Sequence, residues 1–512
     1  MSLFRLTVSS IFALVMLIQT QVAIASNKIN IAISAAPNNL VPFYSTDANS
    51  QNINRLVHSA LVDFDEKMTF ICIACESYQE KMKGDNQVYT FKLKKDLAFS
   101  DGTLVTAQDV KNSYELFAKN EKIKSTFMGA YESIESVNVL DSKTVEIIFK
   151  TFSLENLSNL SLLKILKLKD SSKEQVEVQD IIGCGEYIIA KVDPLEIVVE
   201  PRKANKPILV FKVVKDETTL ALKLINKEID LSVANMSPRK VFWLKSQSGI
   251  KIWEMPSGNF QFMGVNHKRD LFKDIKVRRA LSLLIPREEI LKYKLKNTAV
   301  LSNGMFSPAF GEMYDNLPIE KQDALEARRL LAQAGWTLNK NGLLEKNGKK
   351  FEIDWKVSNN KASIEVVEVL KNYFEKEGMI VNVSIQEWGT YMSAFKSGKF
   401  DIVIGQWVGF TGPDMLKFVF HSSNTPPKGG NRVGYFNQEV DNKLDLATVE
   451  TNSIKRTALY KNALKIINDD YANINLWHPN IIWIGRSCLS EITLESTGSF
   501  YPLKKLEKNC GK

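Results

Sequence analysis

The chain has 512 residues, of which 44% are hydrophobic and 24% are charged, a balance typical of globular proteins. This composition excludes collagen-like, low-complexity and disordered classes, and the length predicts about two to four domains. The formal net charge of +9 is small for this length, and the basic residues are not interleaved with stacking aromatics. We therefore expect no nucleic-acid partner. Four histidines, His58, His267, His421 and His478, are too few to favour a multi-histidine metal centre, so no metal site is predicted.

The first 25 residues have the layout of a secretory signal peptide. Arg5 is the only charge, residues 11–18 form an unbroken apolar run, and residues 23–25 end in small side chains before a cleavage site. The run is too short for a membrane anchor, because a spanning helix needs roughly 20 apolar residues. Cleavage after Ala25 leaves Ser26 rather than a lipid-carrying cysteine. We therefore predict a free, soluble protein outside the cytoplasm that is not a lipoprotein.

The chain that follows, up to about residue 258, is predicted to be rich in strands. Thr106 and Asp109 have the spacing of a capping box and precede an apolar stripe at helical spacing, so a helix is expected to begin there. Alternation of apolar and polar residues predicts half-buried strands at residues 28–34, 88–94 and 145–149, with further strands between 187 and 214.

From about residue 260, helices and strands alternate. Asp274 is placed to begin a helix that Pro286 ends, and Gly335, Gly378 and Gly398 are placed to end three later helices. This alternation predicts a sheet with helices packed on it. Because no linker separates the two parts, we expect domains that are discontinuous in sequence. Strands are predicted between these helices at residues 351–357, 381–385 and 400–404.

Five cysteines follow the signal peptide, and export permits disulfides. Cys488 and Cys510 are expected to pair near the C-terminus. Cys72 and Cys75 form a Cys-x-x-Cys, but no second ligand pair follows for zinc and the setting is not that of a redox site. A structural bridge or two buried thiols is the preferred interpretation. Cys184 is left over and is expected to be inert.

Motifs for catalysis are absent from the sequence. It has no phosphate-binding loop, dinucleotide fingerprint, zinc-protease motif or serine nucleophile elbow. Each histidine is interpreted as a packed or surface residue, because none has a recognised triad partner nearby. We predict a protein that is not an enzyme and has no cofactor. A secreted hydrolase that uses one histidine remains a rival.

Several blocks of sequence occur in the order of a known family. The chain resembles extracellular solute-binding proteins of family 5, the periplasmic peptide- and nickel-binding receptors of ABC transporters. The block at residues 183–187 departs from the family's Gly-Thr-Gly-Pro-Tyr turn at Cys184 and Glu186. The matching blocks are residues 88–93, 99–103, 106–110, 140–145, 183–187, 228–230, 265–266, Asp274 with 277–281, 332–336, 387–391, 400–401, 406–407 and Asn431 through Tyr435 to Asp441.

The resemblance implies an α/β, two-lobed periplasmic-binding-protein fold of type II, similar to cluster C, with an additional small domain and a hinge. It implies a monomer that captures oligopeptides or dipeptides in a cleft between the lobes and delivers them to a membrane permease. The predicted divisions are a signal peptide at 1–25, a discontinuous first lobe at 26–48, 176–258 and 478–512, a small domain at 49–175 and a second lobe at 259–477. Two alternatives remain within this scaffold: capture of a metal chelate such as nickel held by a small organic ligand, and a structural or chaperone-like role.

The resemblance also implies candidate ligand-binding residues. Peptide receptors of this family place an aspartate after a Gly-Trp-x-Gly segment to bind the peptide α-amine, whereas here Phe410 follows Gly409 and Asp414 comes four residues late. Asp414 is expected either to turn into the cleft or to cap the following helix. Lys356 lies near the position of a basic residue that binds the ligand carboxylate in dipeptide receptors. The full set of candidates is Asn38, Tyr44, Lys356, Trp388, Trp407, Gly409, Phe410 and Asp414.

Overall fold

The computed structural model describes residues 28–65, 67–314, 318–426 and 429–510. The predicted signal peptide, residues 1–25, lies outside the described residues. Within the described part of the chain, no helix is both long enough and apolar enough to cross a membrane.

The first elements are β1 (Lys28–Ile33), α1 (Ala48–Val57) and a small domain. This domain comprises β2 (Val62–Phe64), β3 (Phe70–Cys72), β4 (Cys75–Lys83), β5 (Asn86–Leu93), α2 (Ala107–Ala118), β6 (Ile134–Val139), β7 (Thr144–Phe149), α3 (Glu155–Leu162) and β8 (Leu166–Leu168). β9 (Ile181–Gly183), in the segment that follows, pairs with β8. Its main sheet is antiparallel in the order β4-β5-β7-β6. The predicted capping box is confirmed, because Thr106 and Asp109 each bond the other's backbone N–H at the start of α2.

The first lobe is built around β1. Its further elements are β10 (Tyr187–Asp193), β11 (Glu196–Pro201), β12 (Ile208–Val213), α4 (Glu217–Ile225), β13 (Leu231–Ser232), α5 (Pro238–Lys245) and β14 (Ile250–Pro256). β1 pairs in parallel with β12 on one side and with β13 on the other. The carboxyl ends of these three strands therefore lie at one edge of the sheet.

The second lobe carries the alternating helices and strands that the sequence predicts. It consists of β15 (Phe260–Val265), α6 (Ile275–Leu283), α7 (Arg287–Glu289), β16 (Ala299–Leu301), α8 (Ala324–Gln333), β17 (Thr337–Leu338), β18 (Leu344–Lys346), β19 (Lys349–Lys350), β20 (Glu352–Ser358), α9 (Lys361–Lys376), β21 (Ile380–Gln386), α10 (Trp388–Lys396), β22 (Ile402–Trp407), α11 (Met415–Phe420), α12 (Gln438–Val449) and α13 (Ser453–Asp469), followed by β23 (Ile474–Arg486). Gly335, Gly378 and Gly398 follow α8, α9 and α10 with positive φ, as predicted for helix ends.

Short helical turns complete the fold. One π-helical turn occurs at Ile290–Lys294. The 3-10 turns are Pro42–Tyr44, Met128–Tyr131, Val178–Asp180, Asp270–Phe272, Pro308–Met313, Ser422–Asn424 and Tyr501–Lys505.

Two adjacent segments connect the lobes. β23 is 13 residues long and pairs with β15 of the second lobe near its start and with β14 of the first lobe from residue 480 onward. The other connection is residues 257–259, between β14 and β15. The two segments are bonded to each other, because the Ser257 N–H donates to the Pro479 carbonyl at 3.0 Å. A pair of short, adjacent connections of this kind is the architecture of a hinge.

The cysteines form two bridges. Cys72 is joined to Cys75 at the junction of β3 and β4, and Cys488 is joined to Cys510 in the C-terminal segment. Cys184 is a buried thiol whose pKa is raised by burial. A buried neutral thiol is unreactive.

Candidate ligand-binding cleft

A cavity of about 740 Å³ lies between the two lobes and the small domain. This volume falls within the range of roughly 300–1,000 Å³ that small-molecule sites occupy. All three parts of the fold contribute to its walls. The contributing segments are residues 33–36 and 233–235 of the first lobe, Ser158 and Ser161 of the small domain, residues 409–411 of the second lobe, and residues 496–498 near the C-terminus.

The first lobe reaches the cavity through loops that follow parallel strands. Residues 34–36 continue from the carboxyl end of β1, and residues 233–235 continue from that of β13. Because the two strands are parallel, both loops emerge at the same edge of the sheet. Open α/β sheets bind ligands at this kind of edge. Asn38 lies in the first loop and is exposed in the cavity.

The second lobe contributes the loop after β22. Gly409 has a φ of +71°, in the left-handed region that favours glycine, and it turns the chain so that Phe410 reaches the wall. The Phe410 ring stacks on Phe310, with ring centroids 5.1 Å apart and planes 6° apart. A Cβ on Gly258 would lie 3.3 Å from the Phe310 ring, so the first connection between the lobes packs closely against the same ring.

The small domain and the second lobe touch at the mouth of the cavity. Ser158 Oγ lies 3.3 Å from Thr411 Oγ1. The Arg456 guanidinium lies 5.2 Å from the centroid of the Phe152 ring, within cation–π distance. These contacts join the second lobe to the small domain, and Ser158 and Thr411 also line the cavity.

Aromatic rings and small side chains form most of the remaining lining. Trp483 and Phe500 meet edge to face with centroids 6.2 Å apart, and Phe500 stacks on Phe211 behind it. Ala35 and Thr497 represent the small residues between the rings. The cavity therefore offers apolar ring surface beside short side chains, which leave the backbone accessible to an extended ligand.

Two charged side chains line the cavity among the described residues, Asp47 and Arg55. The Asp47 carboxylate is already engaged, since it accepts hydrogen bonds from the Asn38 and Ser50 backbone N–H groups at 3.0 Å each. Arg55 Nε donates to Asp63 Oδ2 at 3.0 Å. Burial alone would raise the pKa of Asp63, but the Arg55 and Lys164 cations and the hydrogen bonds from the Phe64 N–H and Tyr501 OH together outweigh it, so the pKa of Asp63 is lowered.

A cluster of titratable groups lies behind Arg55. Burial lowers the pKa of Lys164 to about 7 and that of Lys504 to about 8, and it raises the pKa of Glu495 to about 7. Tyr501 OH donates to Asp63 Oδ2 at 3.0 Å, and burial holds the pKa of Tyr501 well above its usual value. The cluster joins the small domain, the first lobe and the C-terminal segment.

A family profile described as bacterial extracellular solute-binding proteins, family 5 Middle, matches residues 74–428, which is more than half of the chain. The chain belongs to this family. The resemblance and the two-lobed fold predicted from the sequence are both confirmed.

Relatives with known names agree in length as well as in sequence. The oligopeptide-binding protein AppA of Bacillus subtilis is 27% identical over 464 residues, which cover 85% of this chain and 83% of AppA. The glutathione-binding protein GsiB of Escherichia coli is 23% identical over 466 residues, which cover 87% and 88% of the two chains.

Solved structures show the same fold. The structure of AppA in complex with a nonapeptide has a TM-score of 0.71, 25% identity, and coverage of 94% of this chain and 98% of AppA. The structure of NikZ from Campylobacter jejuni in complex with Ni(L-His) has a TM-score of 0.73, 25% identity, and coverage of 94% and 100%.

Three of the sequence-predicted site residues of this family 5 protein come together in the cavity. Asn38, Gly409 and Phe410 lie in its wall, on opposite lobes. Phe410 is 7% exposed and one of its faces is covered by Phe310, so its role in the wall is mainly to shape the cavity.

Four further candidates make other contacts. Tyr44 OH donates to the Ile123 carbonyl at 2.6 Å in the small domain. Lys356 Nζ donates to the Lys399 carbonyl at 2.8 Å. Trp407 packs between Phe262 and the Arg432 guanidinium in the core of the second lobe, and Trp388 is 59% exposed on α10.

Asp414 corrects one expectation. It occupies the N-cap position of α11, but its side chain makes no capping hydrogen bond, so the predicted cap is wrong. The backbone of Asp414 is already helical, with φ −54° and ψ −30°, which does not aim the carboxylate at the next turn. Burial and the facing carboxylate of Glu155 instead raise the pKa of Asp414 to about 6.

Sequence reasoning missed Arg55 and the C-terminal wall of the cavity. Arg55 lies in a helix with three asparagines, Asn49, Asn52 and Asn54, and these polar residues are the signal that could have found it. Residues 496–500 have no periodic pattern, and only the fold brings them beside α1.

The histidines and metal-ligand types do not assemble into a metal site in the part of the chain that the structure describes, where no group of three or more His, Cys, Asp or Glu side chains could hold an ion. Burial lowers the pKa of His58 to about 3 and those of His267 and His478 to about 4. These three histidines are therefore neutral at pH 7.

Proposed function

We propose that this protein captures a peptide, or a small solute with peptide-like groups, in the cavity between its lobes and delivers it to an ABC permease. The observation that carries the proposal is a cavity of about 740 Å³ whose walls come from both lobes of a family 5 solute-binding protein. AppA, crystallised with a nonapeptide, and GsiB, named for glutathione, support peptide-type ligands.

Capture works by closure, without a chemical step. A ligand that touches residues 33–36 on the first lobe and 409–411 on the second binds the closed arrangement better than an open one, and so shifts the population toward closure. The two connections at 257–259 and 478–480 are the hinge about which the lobes rotate. The permease then distinguishes the closed form from the open one.

The proposed ligand contacts are Asn38, Gly409 and Phe410. The side-chain amide of Asn38 is exposed and supplies both a donor and an acceptor for a ligand peptide group. Gly409 leaves its backbone uncovered, since nothing lies within 4 Å of where its Cβ would be. Such contacts read the backbone of a peptide and tolerate many side chains.

The domain boundaries are proposed as the sequence implies them, with the first lobe at 26–48, 176–258 and 478–512, the small domain at 49–175 and the second lobe at 259–477. The exchange of partners by β23 between Trp477 and Asn480 supports the division near residue 478. Cleavage of the signal peptide after Ala25, export to the periplasm and a monomeric state complete the proposal.

Two alternatives make different predictions. The Ni(L-His) complex of NikZ supports a metal chelate as the ligand, which would leave nickel in protein purified from nickel-containing medium. A hydrolase has one local arrangement in its favour, because Ser423 Oγ lies 2.7 Å from His421 Nδ1 and Asp445 lies 3.3 Å from Nε2. We assign that ring to a capping role instead, since Nδ1 also accepts the Ser423 backbone N–H and Asp445 pairs with Lys417 at 2.9 Å.

The test is capture from defined pools. The mature protein is incubated with synthetic peptides of two to nine residues, separated from free peptide and extracted for mass spectrometry. Retention of peptides, accompanied by a smaller radius of gyration in X-ray scattering, is the expected result. Retention of nothing from the pools, or hydrolysis that disappears in Ser423→Ala, would overturn the proposal.

A further inference from the structure

The charge pattern of the cavity points to the end of the ligand that is held. We propose that Arg55 anchors a carboxylate of the ligand, so that the cleft selects peptides or related solutes with a free C-terminal carboxylate and does not require a free amine. This inference rests on the proposed function, because it names the ligand group that the same cavity recognises.

Arg55 presents unused donors to the cavity. It lies in the last turn of α1, and its side chain is 16% exposed. Nε donates to Asp63 Oδ2, and Nη1 donates to Asn52 Oδ1 at 3.0 Å. Nη2 makes no hydrogen bond with any described residue, so its N–H groups are available to a carboxylate. Arginine favours carboxylates because its fork of donors matches their two oxygens.

The guanidinium is held in place before any ligand arrives. Asp63 is fixed by the Phe64 backbone N–H at 2.9 Å and by Tyr501 OH at 3.0 Å. Asn52 is fixed on its other side, because its Nδ2 donates to the Gly498 carbonyl at 3.1 Å. Arg55 is therefore clamped between the small domain and the C-terminal segment. A clamped side chain loses little conformational entropy on binding.

The carboxylates near Arg55 are either already engaged or outside the cavity lining. Asp63 faces Arg55 at 3.0 Å and the buried Lys164, whose Nζ donates to the Ser161 carbonyl at 2.6 Å, and the buried Glu495 carboxyl, which also acts on Arg55, does not line the cavity. Asp47, the only carboxylate lining the cavity among the described residues, is occupied by backbone N–H groups. A ligand carboxylate beside Arg55 would accept from Nη2, which Asp63 and Asn52 leave unused, whereas a ligand ammonium has no free carboxylate to meet in this lining.

The first test changes the ligand and leaves the protein intact. One pool of peptide sequences is synthesised in three forms: free acid, C-terminal amide and N-acetylated acid. The mature full chain is expected to retain the amides at least tenfold less than the acids, and the N-acetylated acids within threefold of the acids. Equal retention of acids and amides overturns the anchor while peptide capture stands. A greater loss on acetylation than on amidation overturns it as well.

The second test changes the protein. Arg55→Gln should retain acids no better than amides, and Arg55→Lys should recover part of the preference. Arg239→Gln is the matched control, because Arg239 is exposed and pairs with Glu365 at 3.3 Å outside the cavity, and it should keep the full preference. A preference that survives in Arg55→Gln overturns the anchor. If wild-type protein retains none of the three pools, the proposed function itself fails, and the anchor fails with it.

Discussion

His478 Nδ1 lies 2.9 Å from the carbonyl oxygen of Asn259, so one side chain ties together the two connections between the lobes. The ring also packs against Phe260, with centroids 5.7 Å apart. His478 is 1% exposed. The pivot of the molecule is therefore a packed, bonded contact, and movement of the lobes must occur around it rather than by its separation.

The buried histidines make stability depend on pH. Burial lowers the pKa of His478 from 6.5 to about 4, so below pH 6.5 the unfolded chain takes up a proton that the folded protein does not. The free energy of unfolding should fall as the pH falls from 6.5 toward 4, by about 2 kcal/mol at pH 5 for this residue. Thermal unfolding at pH 7 and pH 5 measures the loss. Between the two pH values, the free energy of unfolding of His478→Gln should fall less than that of the wild type. An equal fall would contradict the assignment of this effect to His478.

The pattern of hydrophobic residues and caps was enough to predict much of the fold. The capping box at Thr106 and the helix ends at Gly335 and Gly378 are local signals, and the structure forms each of them. The cavity is different, because Arg55 and Phe500 are more than 400 residues apart and only the tertiary fold brings both into its wall. The chemical type of a residue was not enough to locate the site. Trp407 is a candidate ligand-binding residue by type, yet it is 7% exposed in the core of the second lobe.

Gly409 should be intolerant of a side chain for a conformational reason alone. Its φ is +71°, and a Cβ there would meet nothing within 4 Å. Gly409→Ala is expected to lower the free energy of unfolding by about 1 kcal/mol through the left-handed backbone, and to weaken peptide binding severalfold by moving Phe410. Gly129→Ala is the matched control, since that glycine also has open space but no positive φ. Denaturant unfolding and peptide titration measure both effects, and equal behaviour of the two variants would contradict this account.

The two disulfides should differ in how much they contribute to the free energy of unfolding. Cys488–Cys510 spans 22 residues, whereas Cys72–Cys75 spans 3. Loop-closure entropy predicts that replacing Cys488 and Cys510 by serines lowers the free energy of unfolding by about 3 kcal/mol. Replacing Cys72 and Cys75 should lower it by about 2 kcal/mol. The Cys488→Ser, Cys510→Ser double variant should also bind peptide more weakly, because the C-terminal segment carries Phe500 into the cavity wall. Calorimetry of both double variants checks the order, and the reverse order would contradict the loop-length argument.

We predict that closure of the cleft is favoured at low pH by protonation of Asp414, which faces the small domain. Burial and the Glu155 carboxylate of that domain raise the pKa of Asp414 from 3.8 to about 6, and we expect separation of the second lobe from the small domain to remove at least the effect of Glu155. The closed form therefore holds a proton that the open form releases, and its stability relative to the open form should fall as the pH rises from about 4 through 6. Peptide affinity and compactness in X-ray scattering should both be greater at pH 5 than at pH 8. Asp414→Asn should remove most of this dependence and Glu155→Gln should reduce it, because either change ends the repulsion. An undiminished dependence in Asp414→Asn would show that another group controls closure.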